Sequence, residues 1–276
     1  MIKKILHVAD IHIFNDTSAM HMEDKINKLI KSLIMETKKC GKDECRIVVV
    51  GDIYQNKIRA SNEAKKCFHH FLNYVNKICP TYIVAGNHDM LQNNRGRLDS
   101  ISTTFSIEKV YPKVTYLDKA LDYKSGYIVD DNVIFALYSM FDNFKTPNID
   151  EKLRQENPDK KIVGLYHGDI VGSVTDTGRY SESGIDTDMF KYCDCVMAGH
   201  IHKMQEIKKN GVPIVYSGSI FQKELGENVS GHGYVVWNME DMSHEFVEVD
   251  NDYRMYKFTV DSYEDVSNDV ERLLNL

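Results

Sequence analysis

Nine short apolar runs, rich in Val, Ile and Tyr, punctuate the chain: Lys4–Ala9, Arg46–Val50, Tyr82–Ala85, Val133–Tyr138, Ile162–Tyr166, Cys195–Ala198, Ile214–Tyr216, Tyr234–Trp237 and Glu245–Val249. Gly, Asp or Asn bounds them, as expected of strands. Between the first three, Ile26, Leu29, Ile30, Leu33 and Ile34 recur at helical spacing, and so do Ala64, Phe68, Phe71, Leu72 and Val75. This alternation predicts a βαβαβ start with parallel strands. The later runs lie closer together with fewer helical patterns between them, which points to antiparallel pairing. There is no internal repeat, low-complexity tract or long linker.

With 276 residues, the chain can bury a sizeable core as one large domain plus a small appendage. No apolar run is long enough to span a membrane. The opening MIKKILHVADIH holds few apolar residues before Asp10 and does not read as a signal peptide. The six cysteines contain no CxxC pair and read as reduced thiols of an intracellular protein, cytoplasmic or nucleoid, or nuclear if the source is eukaryotic or viral. The net charge of −7 weakens nonspecific attraction to phosphate, but two bound divalent cations would offset more than half of it, where a phosphate must sit.

Five of the runs end in polar clusters. HVADIHIF carries Asp10 and His12; VVVGDIYQN carries Asp52; VAGNHD carries Asn87, His88 and Asp89; GLYHGD carries His167; VMAGHIH carries His200 and His202. In an open α/β sheet ligands gather beyond the carboxyl ends of the strands, so all five clusters would meet along one edge. Two Asp, one Asn and four His, before His88 is counted, form the mixed oxygen and nitrogen donor set of a dinuclear Mn²⁺, Fe or Zn²⁺ site, not a structural thiolate zinc site. Residues two apart on a strand share a face, and their neighbours face away; for Asp10 with His12 and His200 with His202, the chain is expected to leave the strand within the motif. Glycines before Asp52, Asn87 and His200 permit that exit.

This order of motifs resembles the calcineurin-like metallophosphoesterase superfamily, whose pattern is D-x-H, GD, GNH(D/E), H and GHxH. The resemblance covers about residues 1–250 and implies a two-sheet mixed β-sandwich flanked by helices. It implies Asp10, His12 and His202 on one metal, Asn87, His167 and His200 on the other, and Asp52 bridging both. Two such cations, about 3.5–4 Å apart, clamp an in-line phosphoryl displacement. His88 is then expected to donate a proton to the leaving oxygen or to stabilise charge, with Asp89 fixing its tautomer.

Within that superfamily, ILHVADIHIF is similar to the opening of SbcD-type nucleases, and phage recombination nucleases belong to the same family. YSGSIFQKELGENVSGHGYVVW resembles their segment after GHxH: a Tyr-x-Gly-Ser turn, a Glu, and a Gly-rich entry into a strand. Position 55 is Gln where the eukaryotic and archaeal branch has His. Residues 251–276 resemble the beginning of a DNA-binding cap, with Val266, Val270, Leu273 and Leu274 on one helix face. The resemblance implies a Mn²⁺-dependent DNA exo/endonuclease (Mg²⁺, Fe or Zn²⁺ being alternatives) that acts in break repair or recombination with an SMC-like ATPase. Arg95, Arg97, Lys57 and Arg59 are candidate phosphate contacts, with solvated loop charge as the alternative. Tyr54 and Phe14 could stack on a base, or simply pack the wall.

Other histidines read differently. His7 lies inside a strand, His69 and His70 lie on an amphipathic helix, and His21, His232 and His244 have no partner motif. Cys193 and Cys195 read as core. The Ile26, Leu29 and Leu33 face reads as core too, with a homodimer surface as the alternative. Two other functions fit the same motifs: a phosphodiesterase or phosphatase for nucleotides or phosphoproteins, and a scaffold with a dead site.

Overall fold

The protein is seen here as a computed structural model that describes residues 1–257 apart from 19, 58, 107–109 and 210. Strands β1 (Lys4–Val8), β2 (Cys45–Val50), β3 (Thr81–Val84) and β4 (Val114–Tyr116) belong to one six-stranded sheet. Strands β5 (Gly126–Asp130), β6 (Val133–Tyr138), β7 (Lys161–His167), β8 (Cys195–Gly199), β9 (Gln205–Lys209) and β10 (Val212–Tyr216) form the second. The last two strands, β11 (Gly233–Asn238) and β12 (His244–Glu248), return to the first, whose order is β12-β11-β1-β2-β3-β4. The order of the second is β5-β6-β7-β8-β10-β9.

The two sheets pack face to face, and alternation along each strand decides which side chain goes where. In β2, Val48 and Val50 join Ile5, Val84, Phe135, Leu165, Met197 and Trp237 between the sheets. Ile47 and Val49 point the other way, into the layer closed by helices α1 (Met22–Thr37) and α2 (Asn62–Ile78). Ser61 caps α2 by accepting a hydrogen bond from the Ala64 N–H at 3.1 Å. Ile26, Leu29, Leu33, Phe68 and Phe71 are fully buried on that layer, so the α1 stripe is core and is not a dimer surface. The outer face of the second sheet is covered by loops, the short helix α4 (Glu151–Glu156) and Phe190; helix α3 (Leu117–Ala120) follows β4.

The βαβαβ start is present: β1, β2 and β3 are mutually parallel. The antiparallel expectation for the later strands holds for β5–β6, β9–β10 and β11–β12. It fails for β6, β7, β8 and β10, which run parallel. The segments joining them are long enough to carry the chain back without a full helix, and a parallel return needs no more than that. Three strands escaped the pattern: β4, β5 and β9, which are short or half-exposed at sheet edges. One cysteine expectation is corrected as well. Cys40 and Cys45 are joined by a disulfide across the turn between α1 and β2, because the turn brings their Cα atoms to 6.8 Å. The other four cysteines are free and buried, Cys193 and Cys195 among them. Residues 251–257 carry no regular element, and the helix expected around Val266 to Leu274 lies outside the described residues. No helix among the described residues is long and apolar enough to cross a membrane.

Candidate metal centre

All seven expected ligands come off the carboxyl ends of strands. Asp10 and His12 follow β1, Asp52 follows β2, Asn87 follows β3, His167 ends β7, and His200 and His202 follow β8. The backbone turns sharply there: Asp10, His12, Asp52 and His200 all have positive φ, at 51°, 48°, 53° and 100°. That conformation costs a non-glycine residue on the order of 1–2 kcal/mol, so four strained ligands need a rigid surround. The surround is a lace of backbone bonds: Asp10 N–H donates to Gly51 O at 3.1 Å, and His12 N–H donates to Asp52 O at 3.0 Å. Glycine is obligatory at position 51, where a Cβ would lie 2.1 Å from His167 Nδ1.

The side chains converge as two groups that share Asp52. In the first, His12 Nε2 lies 3.0 Å from His202 Nε2 and 3.7 Å from Asp10 Oδ1. In the second, Asn87 Oδ1 lies 3.2 Å from His167 Nε2 and 2.8 Å from His200 Nδ1. Asp52 sends Oδ2 to within 3.6 Å of His12 Nε2 and Oδ1 to within 3.3 Å of His167 Nε2. Asp10, His12 and His202 bring ligand atoms within 4.8 Å of one another, as do Asp52, His167 and His200. These groups fit divalent cations. Asp10 Oδ1 is fully buried without a hydrogen-bond partner, in a group where two imidazole nitrogens face each other instead of a donor.

Burial raises Asp10, because nothing nearby fully offsets the desolvated charge. Burial alone would lower His167 and raise Asp52. Their mutual attraction outweighs it, holding His167 at about 9 and Asp52 well below its ordinary range.

A family model described as calcineurin-like phosphoesterase matches residues 3–204, a stretch that contains all seven expected ligands. The chain belongs to this family. The family's description is that of a phosphoesterase, and the matched stretch carries groups of donors that could hold metal ions. Among its relatives, protein R555 of Acanthamoeba polyphaga mimivirus is 33% identical over 263 residues, 91% of this chain but only 18% of that protein. A protein of Invertebrate iridescent virus 6 with a phosphoesterase designation, 244L, is 26% identical, covering 82% of this chain and 72% of the relative. One component of the SbcCD nuclease from Staphylococcus saprophyticus, SbcD, is 24% identical, covering 84% of this chain and 65% of that relative.

In this phosphoesterase His88 stands beside the ligands. Its ring meets that of His12 edge-on at 5.0 Å, and its backbone N–H donates to Asp52 Oδ1 at 2.8 Å. The group that orients it is not the expected one. His88 Nδ1 lies 2.6 Å from the backbone carbonyl of Gln55, so Nδ1–H donates there and Nε2 is left toward the centre. Asp89 faces the opposite way, fully buried, and accepts from the backbone N–H groups of Ile53, Tyr54 and Gly86 at 3.0–3.1 Å. These three bonds turn Asp89 away from the site, and it staples the loops after β2 and β3 together. The expectation that Asp89 fixes the His88 tautomer is therefore withdrawn.

The basic loops of the phosphoesterase are placed but not brought onto the ligands by any contact. Arg95 and Arg97 sit on a loop closed at its base by Ser100 N–H donating to Asp89 O at 2.9 Å; Arg97 is exposed, and Arg95 folds back onto Gln92 O. Lys57 and Arg59 follow Gln55, half-buried and exposed respectively. Tyr54 is core and packs on Phe68, so it is wall and not a stacking platform; Phe14 is half-buried against the same core. The remaining histidines pair locally: His69 with Tyr111, His70 with Asn27, and His232 with Ser219 and the Asn228 carbonyl. His21 stacks on Tyr253 and His244 leans on Trp237, while His7 is buried in β1.

Two carboxylates at the centre went unread. Glu227 Oε1 lies 2.6 Å from His202 Nδ1, and Asp169 Oδ2 lies 3.6 Å from His200 Nε2. Both line an open cavity of about 320 Å³ beside His200 and His202, with Asp176, Arg179 and Glu224 on its walls. Asp169 stands two residues after His167 and had a sequence signal in GLYHGD. After the YSGS turn, Glu224 and Glu227 are both glutamates, and only the fold selects between them.

Proposed function

We propose that this phosphoesterase is a two-metal phosphodiesterase whose substrate is DNA, a nuclease of the SbcD type. The observation that carries the metal chemistry is Asp52, whose two oxygens face two separate groups of Asp, Asn and His donors. In this reading Asp10, His12 and His202 hold one cation, Asn87, His167 and His200 hold the other, and Asp52 serves both. When bound, the pair supplies Lewis acidity at the phosphate and an activated water near neutral pH. The chain's own residues do the rest. Backbone bonds around the strained strand ends hold the donor side chains in place for the cations. His88, with Nδ1–H committed to the Gln55 carbonyl, presents Nε2; as the imidazolium it transfers that proton to the leaving oxygen.

The step from phosphodiester to DNA is supported by the similarity to the SbcCD component and by the segments after β1 and β10 that resemble such nucleases. On that reading residues 1–250 are the nuclease domain, residues 251–276 begin a cap, Mn²⁺ is the working metal, and an SMC-like ATPase is the partner. Arg95, Arg97, Lys57 and Arg59 would contact flanking phosphates from exposed loops. One observation favours a smaller substrate: the cavity beside His200 and His202 is lined by Asp169, Asp176, Glu224 and Glu227 against Arg179 alone, poor company for a polyanion. A nucleotide phosphodiesterase is therefore the second reading.

Cleavage of end-labelled duplex and hairpin DNA with Mn²⁺, beside bis-p-nitrophenyl phosphate, separates them. The nuclease reading expects both to be cut by the wild type and neither by His88→Ala at intact metal content. Hydrolysis of the small diester alone supports the second reading. No hydrolysis of either by metal-loaded protein refutes both.

A further inference from the structure

We propose that Glu227 is a positioning residue of the metal centre, fixing His202 as an Nε2 ligand, and that Gln222 ties this hold to the C-terminal segment. The inference rests on the two-metal reading above.

His202 has two ring nitrogens, and only one can face the ligand group. Its Nδ1 lies 2.6 Å from Glu227 Oε1, a short contact in which Nδ1–H donates to a carboxylate. That bond places the proton on Nδ1 and leaves Nε2 bare, facing His12 Nε2 at 3.0 Å and Asp10 Oδ1 at 4.0 Å. Glu227 is not itself free to act as a ligand. It is buried, and its other oxygen accepts the Lys223 N–H at 2.6 Å. Both of its oxygens are engaged in holding a neighbour in place.

The far nitrogens of the other ligands differ. His167 Nδ1 donates to a neutral carbonyl, Val50 O, at 2.8 Å. His12 Nδ1 has no hydrogen-bond partner among the described residues. The Asp169 carboxylate stands 3.6 Å from His200, beyond hydrogen-bond length. Only His202 is backed by a short carboxylate contact. A carboxylate behind an imidazole raises its basicity as a ligand. The first group already contains Asp10 beside the shared Asp52, whereas the second relies on the neutral amide of Asn87. Glu227 widens that difference, so the two groups form unlike sites, the first tighter for a divalent cation.

Glu227 owes its position to a small closed loop. Its N–H donates to Glu224 O at 3.1 Å, and the Gln222 amide reaches its carbonyl at 3.3 Å. The same Gln222 amide grips the Met255 backbone at two points, donating to Met255 O at 2.9 Å and accepting Met255 N–H at 2.7 Å. Gln222 thus links the segment that leaves the sheet after β12 to the loop behind His202. A displacement of that segment would be felt at a metal ligand.

The test is titration of the full chain with Mn²⁺ by calorimetry, for the wild type, Glu227→Gln and Gln222→Ala, with thermal melting to confirm folding. The wild type is expected to show two classes of site. Glu227→Gln should weaken the tighter class by about 10–100-fold and leave the weaker class within about threefold. Gln222→Ala should weaken the same class by a smaller factor. Two unaltered classes in both variants overturn the inference while the two-metal reading stands. Equal weakening of both classes also overturns it, since that is general damage. A wild type that binds no Mn²⁺ overturns the two-metal reading and this inference together.

Discussion

Gly86 joins β3 to Asn87, and replacing it with alanine measures how tightly the centre is built. A Cβ there would lie 2.1 Å from Asp52 Oδ1, 2.3 Å from Asp52 N and 2.7 Å from His167 Nε2. Real Cβ atoms essentially never approach closer than 3.0 Å, so the carboxylate oxygen must retreat by about 0.9 Å and the backbone of Asp52 must move with it. Metal–ligand distances tolerate only about ±0.2 Å, and a misplacement of about 1 Å at a reacting centre costs on the order of 10²-fold in rate. Gly86→Ala is therefore expected to bind fewer than two Mn²⁺ per chain and to lose about 100-fold or more in kcat/KM on bis-p-nitrophenyl phosphate. Gly126→Ala in β5 is the control, because its nearest contact would be an ordinary 3.5 Å. Metal content by mass spectrometry and initial rates across a Mn²⁺ series give both numbers. A Gly86→Ala protein that keeps two ions and at least a third of the activity would refute the reasoning: the close approach of β3 to Asp52 would then be incidental.

Two further outcomes concern the scaffold. His7 is fully buried in β1, and burial pushes its imidazole down from 6.5 to about 3. The unfolded chain then takes up a proton below pH 6.5 that the folded chain refuses, so the stability it contributes is present above pH 6.5 and lost as pH falls toward 3. Between pH 8 and pH 5 this amounts to about 2 kcal/mol, and urea titrations should show that much less acid sensitivity in His7→Leu; equal losses in both proteins would contradict it. Asp130 of β5 pairs with Arg46 of β2 across the two sheets, through Nε at 2.5 Å and Nη2 at 2.9 Å, and also accepts from the Tyr82 hydroxyl at 2.7 Å. Asp130→Ala leaves the buried Arg46 charge unpaired and is expected to cost about 3 kcal/mol in denaturant unfolding; a loss below about 1 kcal/mol would show that the Asp43 and Cys45 carbonyls on Arg46 Nη1 suffice.

The cluster of donor side chains was legible because its chemistry is local. An apolar run that stops at Gly-Asp or Gly-Asn-His announces a strand end, and several such ends in one α/β chain must share an edge. What was not legible depends on direction and on distance along the chain. His88 and Asp89 are neighbours in sequence, yet one faces the ligands and the other faces three backbone N–H groups; no residue pattern separates those outcomes. Glu227 meets His202 across 25 positions, selected over Glu224 by the fold of one short loop. The parallel core of the second sheet was missed because its crossovers are loops with helices too short to show helical periodicity. Strands β4, β5 and β9 were missed because edge strands need not alternate.

The central claim is that two cations sit on either side of Asp52. Crystals grown with Mn²⁺ and measured at the manganese absorption edge test it most directly. Two anomalous peaks are expected, one among Asp10, His12 and His202 and one among Asn87, His167 and His200, with Asp52 between them and about 3.5–4 Å separating the ions. A single peak, or peaks away from Asp52, would contradict the dinuclear centre and the hydrolytic mechanism built on it.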